Sequence, residues 1–211
     1  MSCAYDVMYL SLASRVMGDM FDFAVNTLQI NIREFFDMFV VSKMAYQFEL
    51  GNPTYIAGKN GCEIAKEVVE RCTNTYPDTE DCMYLDKSPE YWIGWALAQY
   101  QWLRNIEYAV IDEYQPIEDM YGMYKTYHEA DISLFIEIMD EKWKFYRQTS
   151  MLKRLRAYAE LSQSQLARKA QVPLRQIQLF EQGKRDINKT QGETLKKLSM
   201  ALNCRMEDLI D

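Results

Sequence analysis

Histidine is almost missing from this chain: His128 is the only one in 211 residues, and the five cysteines (Cys3, Cys62, Cys72, Cys82, Cys204) form no CxxC pair. A zinc site needs four nitrogen or sulfur ligands at characteristic spacings, so no metal ligand is assigned. The thiols read instead as small packed hydrophobes kept reduced. No stretch approaches the roughly 18 apolar residues of a membrane span. The first residues carry Asp6 and no basic run, so no secretory signal is visible. Together these absences predict a cytoplasmic protein without membrane association. Sustained alternation of polar and apolar residues is also lacking, which argues against strands. There is no internal repeat and no low-complexity stretch.

Hydrophobic residues (48%) and charged residues (26%) stand at ordinary levels for a globular protein, and the net charge is −7. That average hides a division. From Ser150 onward, 12 basic residues face 7 acidic ones, giving +5, whereas the residues before it sum to −12. One part can bind a polyanion and the other is repelled by it. Aromatic residues divide at the same place: Trp92, Trp95, Trp102 and Trp143 all precede Ser150, and only Tyr158 and Phe180 follow it. At 25.0 kDa the chain has room for two modest cores. Two domains are therefore expected, an acidic, aromatic-rich one at 1–148 and a basic one at 149–211.

The acidic part reads as helical. Val7, Leu10, Ala13 and Val16 recur near the helical period and predict a helix around residues 5–28. A second helix is predicted from 32 to about 50, with Phe35, Phe36, Phe39, Val40 and Met44 toward the core, stopping at Gly51-Asn52-Pro53. Residues 51–61 read as a loop, 62–71 as a helix, and 73–87 as an exposed polar connection. Ser88-Pro89-Glu90 joins a capping serine, proline at the first helical position and an acid near the positive helix end. That helix is expected to reach about residue 105. Others are expected after Pro116 and from Asp131 past Trp143. The fold class is all-α. No Gly, Pro or Ser-rich tether marks the junction near Thr149, so either the domains are held closely or the helix from Asp131 leads almost directly into the next.

The basic part carries the most specific pattern. Leu152, Leu155 and Ala159 make one helical face, and Ser162 caps a short helix carrying Leu166, Ala167 and Ala170. A tight connection, Gln171-Val172-Pro173, leads to a third helix with Ile177 and Phe180 inward, closed by Gly183. Leu195, Leu198 and Leu202 mark a fourth helix, and Met206 and Leu209 a short fifth. Helices cross steeply over a three-residue turn only if the residue at the crossing is small, and Ala167 supplies that. With LSQxxLA at 161–167 and E-x-G-K-R at 181–185, the segment resembles the λ-repressor/Cro-type (Xre-like) helix-turn-helix domains.

That resemblance implies a five-helix DNA-binding domain in a transcriptional regulator, acting as a homodimer on two half-sites of double-stranded DNA. It implies that Gln163 bonds a backbone phosphate. The third helix would enter the major groove with Leu174, Arg175, Gln176 and Gln178 leading and Leu179 a turn later. Arg175 suits guanine O6 and N7, and a glutamine suits adenine N6 and N7. Lys184, Arg185 and Lys189 would lie near phosphates, and Arg156 would pair with Glu181 to tie the first helix to the third. The sequence departs from the pattern at Gln171, where glycine is usual and a left-handed conformation costs about 1 kcal/mol. Pro173 replaces the usual polar cap. Leu174 and Leu179 stand where polar side chains often read bases.

No catalytic constellation emerges before residue 150, and neither enzymatic activity nor a cofactor is expected. Gly58-Lys59-Asn60-Gly61 lacks the longer phosphate-loop pattern and a preceding strand, so it reads as a turn. Cys62 and His128 would act as nucleophile and base only if folding joined them. Residues 46–61, YQFELGNPTYIAGKNG, are similar to N-terminal regions of helix-turn-helix proteins of Firmicutes encoded beside toxin-like genes. This similarity implies an alternative, antitoxin-like role in which residues 1–148 bind a partner protein and the helix-turn-helix is secondary or autoregulatory. Aromatic and methionine richness suits such a surface as well as it suits a core.

Overall fold

The computed structural model describes residues 3–83 and 85–210. Among them are thirteen α-helices and no strand. The chain forms two compact units, Met1–Lys142 and Trp143–Asp211, the division falling within helix α9.

The first unit is built round α1 (Leu10–Asp22), which is buried from Ala13 to its end except at Arg15. Its main partner is α6 (Pro89–Arg104), the most extensive helix pair in the unit. Backbone-to-backbone approach makes this possible. A Cβ on Gly94 would lie 2.5 Å from the Met17 carbonyl oxygen, and one on Gly18 would lie 2.9 Å from that of Tyr91. Gly61, the first residue of α5 (Gly61–Thr73), abuts the α1 backbone at Met20 in the same way. Gln99 also donates to the Ser14 hydroxyl across the α1–α6 contact at 3.0 Å. On another side of α1, Phe21 meets Phe35 and Phe39 of α2 (Ile32–Val41) edge-on, at 5.3 and 6.0 Å between ring centres. Phe39 continues the stack to Tyr108 of α7 (Tyr108–Tyr114) at 5.4 Å.

Local chemistry sets the helix ends. Asn31, Asn60 and Ser88 cap α2, α5 and α6 through their side chains, Asn60 in a reciprocal capping box with Glu63. Asn74 and Asn105 close α5 and α6 in the left-handed conformation that asparagine tolerates. Beyond α1 the helix widens into a π turn, Phe23–Thr27, with the Leu28 amide bonded to the Phe23 carbonyl at 2.9 Å.

Two expectations for the first unit need correction, and one of its helices was not foreseen. The helix predicted across 32–50 is two helices, because Lys43 turns left-handed (φ 64) between α2 and α3 (Met44–Glu49). No glycine or proline marks that break; Met44 and Phe48 of α3 are buried as core residues. Residues 51–61 are not all loop, since Asn52 and Pro53 start α4 (Pro53–Ile56) where proline suits a first turn. Helix α7 was not expected; it is seven residues long, and its first amide, that of Tyr108, donates to the Glu49 carboxylate at 2.8 Å. The helix expected after Pro116 is α8 (Met120–Tyr127), reached through a 3-10 turn, Ile117–Asp119.

Helix α9 (Ile132–Gln148) is followed almost at once by α10 (Met151–Tyr158), whose N-cap is Ser150. The second unit continues with α11 (Gln163–Ala170), α12 (Leu174–Glu181) and α13 (Gly192–Leu202). The predicted fifth helix is a single 3-10 turn, Glu207–Leu209. Leu152, Leu166, Ile177, Phe180, Leu195, Leu198, Leu202 and Leu209 form the core, with Leu155, Ala159, Ala167 and Met206 packed at its edge.

Replacing Gly94 with alanine should lower stability by about 1–3 kcal/mol, the usual cost of overpacking. The Gly122→Ala variant, where a Cβ meets nothing within 4 Å, serves as the control. Urea unfolding followed by tryptophan fluorescence reports mainly the first unit, which holds Trp92, Trp95 and Trp102, and equal midpoints for the two variants would contradict the close-approach account.

Candidate nucleic-acid interface

The turn between α11 and α12 is set by three residues. Ser162 and Gln165 form a capping box that fixes the start of α11. Gln171 takes the left-handed conformation (φ 53, ψ 40), the strained choice for a residue with a side chain. The Val172 amide then bonds the Ala167 carbonyl at 3.1 Å, and its side chain is buried under the turn. Pro173, at φ −55, launches α12 without a side-chain cap.

At the other end of α12, the Glu181 carboxylate, with 2% of its side chain exposed, is shared by two helices. Arg156 of α10 donates to it through Nε at 2.6 Å and Nη2 at 2.9 Å, and Gln163 of α11 through Nε2 at 2.8 Å. Nη1 of Arg156 reaches the Leu161 carbonyl at 2.7 Å. The hydrogen bond to Glu181 raises the Arg156 pKa further above its ordinary value. One buried anion therefore fixes the first, second and third helices to one another.

This bonding bears on Gln163, for which the sequence suggested a phosphate contact. Its amide nitrogen carries two hydrogens; the bond to Glu181 uses one and orients the other. On α12, Arg175 and Leu174 are exposed, while Gln178 and Leu179 are half-buried. Gln176 is also half-buried, with Nε2 3.4 Å from the Thr190 hydroxyl. Thr190 had no signal in the sequence beyond being one polar residue in a polar loop. Lys184, Arg185 and Lys189 are exposed in the connection after α12. The amides of Lys184 and Arg185 both return to the Leu179 carbonyl (3.0 and 3.1 Å), and the Arg185 guanidinium lies 5.7 Å from the Phe180 ring centre. Lys189 pairs loosely with Asp186 at 3.5 Å, a surface contact of little energetic weight.

The first unit holds a buried polar cluster at the π turn. Asp22 accepts from Asn26 (2.8 Å) and Ser88 (2.9 Å), Glu90 from Tyr121 (2.7 Å) and Asn26 (3.1 Å), and Asp19 from Lys87 (2.8 Å). Burial pushes the Glu90 pKa up, but its hydrogen bonds from Tyr121 and Asn26 outweigh that and leave it below the usual carboxylate range. Every acid here is satisfied by protein donors, and among the described residues no group of His, Cys, Asp and Glu is arranged to hold a metal ion. The Cys62 thiol is buried, bonded to the Cys82 carbonyl at 3.5 Å, and its pKa is raised to about 11, chiefly by burial. His128 is exposed and bonded to the Tyr124 carbonyl at 2.8 Å. Neither group's hydrogen bond goes to the other. At Gly58–Gly61 the Asn60 capping box takes up the amides of Asn60 and Glu63. No described helix is long and apolar enough to cross a membrane.

Two short helices crossing over a tight turn, with a third locked to both by a buried ion pair, define a helix-turn-helix domain. The helix-turn-helix family model matches residues 152–209, so the C-terminal segment carries the helix-turn-helix pattern of DNA-binding domains. No curated protein and no solved structure matches the chain significantly.

Arg156→Ala should cost about 3–5 kcal/mol in the second unit, because it strands a buried carboxylate. Arg156→Ala combined with Glu181→Leu should recover a large part of that loss. Amide hydrogen exchange in α10–α12 separates these outcomes from effects on the first unit; unchanged protection in Arg156→Ala would refute the lock.

Proposed function

We propose that this protein is a cytoplasmic transcriptional regulator that binds double-stranded DNA as a homodimer, each helix-turn-helix reading one half-site. The observation that carries the proposal is the locked α11–α12 pair, which presents the exposed Leu174 and Arg175 at the start of a helix in a segment of charge +5. Arg175 reads a guanine, and Gln178 and Gln176 supply amide contacts near the groove. Gln163, held by Glu181, offers its second amide hydrogen to a phosphate. Lys184, Arg185 and Lys189 contact phosphates and contribute affinity without sequence information. The acidic domain at 1–148 lies outside the DNA contact, since its charge of −12 repels a polyanion.

Measured on full-length protein, duplex binding should weaken steeply with salt. Lys184→Ala should weaken binding uniformly across sequences and reduce the salt slope by about one, whereas Arg175→Ala should change which sequences are preferred. Absence of any retention on mixed-sequence duplex at low salt would end this reading.

A second reading concerns the first unit and the 46–61 segment. Two of its large apolar side chains, Tyr46 and Leu50, are 53% and 57% exposed, with Val41 exposed just before them. Such a surface suits a partner protein, as in an antitoxin-like role in which the helix-turn-helix autoregulates. Co-expression with the product of a neighbouring toxin-like gene should yield a complex that Tyr46→Ala with Leu50→Ala disrupts while duplex binding persists. Intact complex formation by that variant would remove the segment from the interface.

A further inference from the structure

We propose that Leu174 selects a thymine through its C5-methyl group, next to the guanine read by Arg175. This inference rests on the DNA-binding reading above and specifies the sequence class it recognises. Among the described leucines of the second unit Leu174 is the single exposed one, at 37%. It is the first residue of α12, directly after Pro173, whose ring fixes the approach of the chain and presents no amide hydrogen. Leu179, one turn and a half later, is half-buried and bonded through its carbonyl into the following loop. The two leucines are therefore not equivalent, and only Leu174 projects where a helix N-terminus leads into a groove.

The chemistry of the neighbours narrows what Leu174 can read. Gln176 is drawn toward Thr190, which leaves Arg175 as the exposed hydrogen-bonding side chain of the first turn. An aliphatic side chain placed beside it offers no donor or acceptor to a base edge. Thymine is the one unmodified base whose major-groove edge carries a methyl group, and cytosine has only a hydrogen at the same C5 position. Burying one methyl-sized group is worth about a fourfold change in affinity.

The test uses the full chain and chemically modified duplexes. Selection from random duplexes first gives the preferred half-site. Each thymine in it is then replaced by deoxyuridine, which deletes only the methyl, and affinity is measured by fluorescence anisotropy for wild type and Leu174→Ala. One thymine per half-site, adjacent to a guanine sensitive to Arg175→Ala, should lose about fourfold on replacement with wild type and nothing with Leu174→Ala. Placing 5-methylcytosine at that position should bind wild type more tightly than cytosine does. A defined half-site in which no deoxyuridine replacement distinguishes the two proteins overturns the role of Leu174 and leaves the regulator reading intact. Failure to enrich any sequence overturns sequence-specific readout itself, and this inference with it.

Discussion

Glu181 is the point on which the DNA-binding unit turns. It lies at the end of α12, yet its carboxylate is almost wholly buried and accepts three hydrogen bonds from two other helices. A buried anion without partners is costly, and the same anion with a bidentate guanidinium and an amide is satisfied. This makes the arrangement all-or-none: α12 sits correctly against α10 and α11, or a charge is stranded. Eight-residue helices have little stability of their own, so their mutual orientation has to come from such tertiary contacts and from the leucine core beneath them.

The first unit depends on a different constraint, the closeness of backbones. Gly18, Gly61 and Gly94 let α5 and α6 approach α1 until main-chain atoms touch. Edge-on aromatic contacts run from Phe21 through Phe39 to Tyr108 beside them. Its buried acids are all engaged by neighbours, so the polar cluster at the π turn serves the packing of α1 on α6. What remains free in this unit is surface, and the apolar side chains around Tyr46 are its most distinctive part.

The legibility of the two units differed for physical reasons. In the second, each short helix carries its own start and stop chemistry, so Ser162, Pro173 and Gly183 could be read directly. Gln171 is the instructive case: a residue poorly suited to a left-handed turn still adopts it, because the helices on either side require it. In the first unit the break at Lys43 was invisible, since neither neighbour is a helix breaker and only burial of Met44 and Phe48 rewards the interruption. Helix α7 was hidden likewise, its seven residues being too few for a periodic signal.

By itself, the sequence determined the all-α class, the charge division, and the identity of the helix-turn-helix segment, because periodicity, capping residues and net charge are local or additive properties. The candidate DNA-contact residues were legible as residue types at helix positions. Only the tertiary structure decided which of them face outward. It turned Gln176 toward Thr190, gave one hydrogen of Gln163 to Glu181, half-buried Leu179 and left Leu174 exposed. Those distinctions depend on neighbours that are distant in sequence, such as the 25 residues separating Arg156 from Glu181. A side chain's partner is fixed by packing, and packing is not written in any one segment.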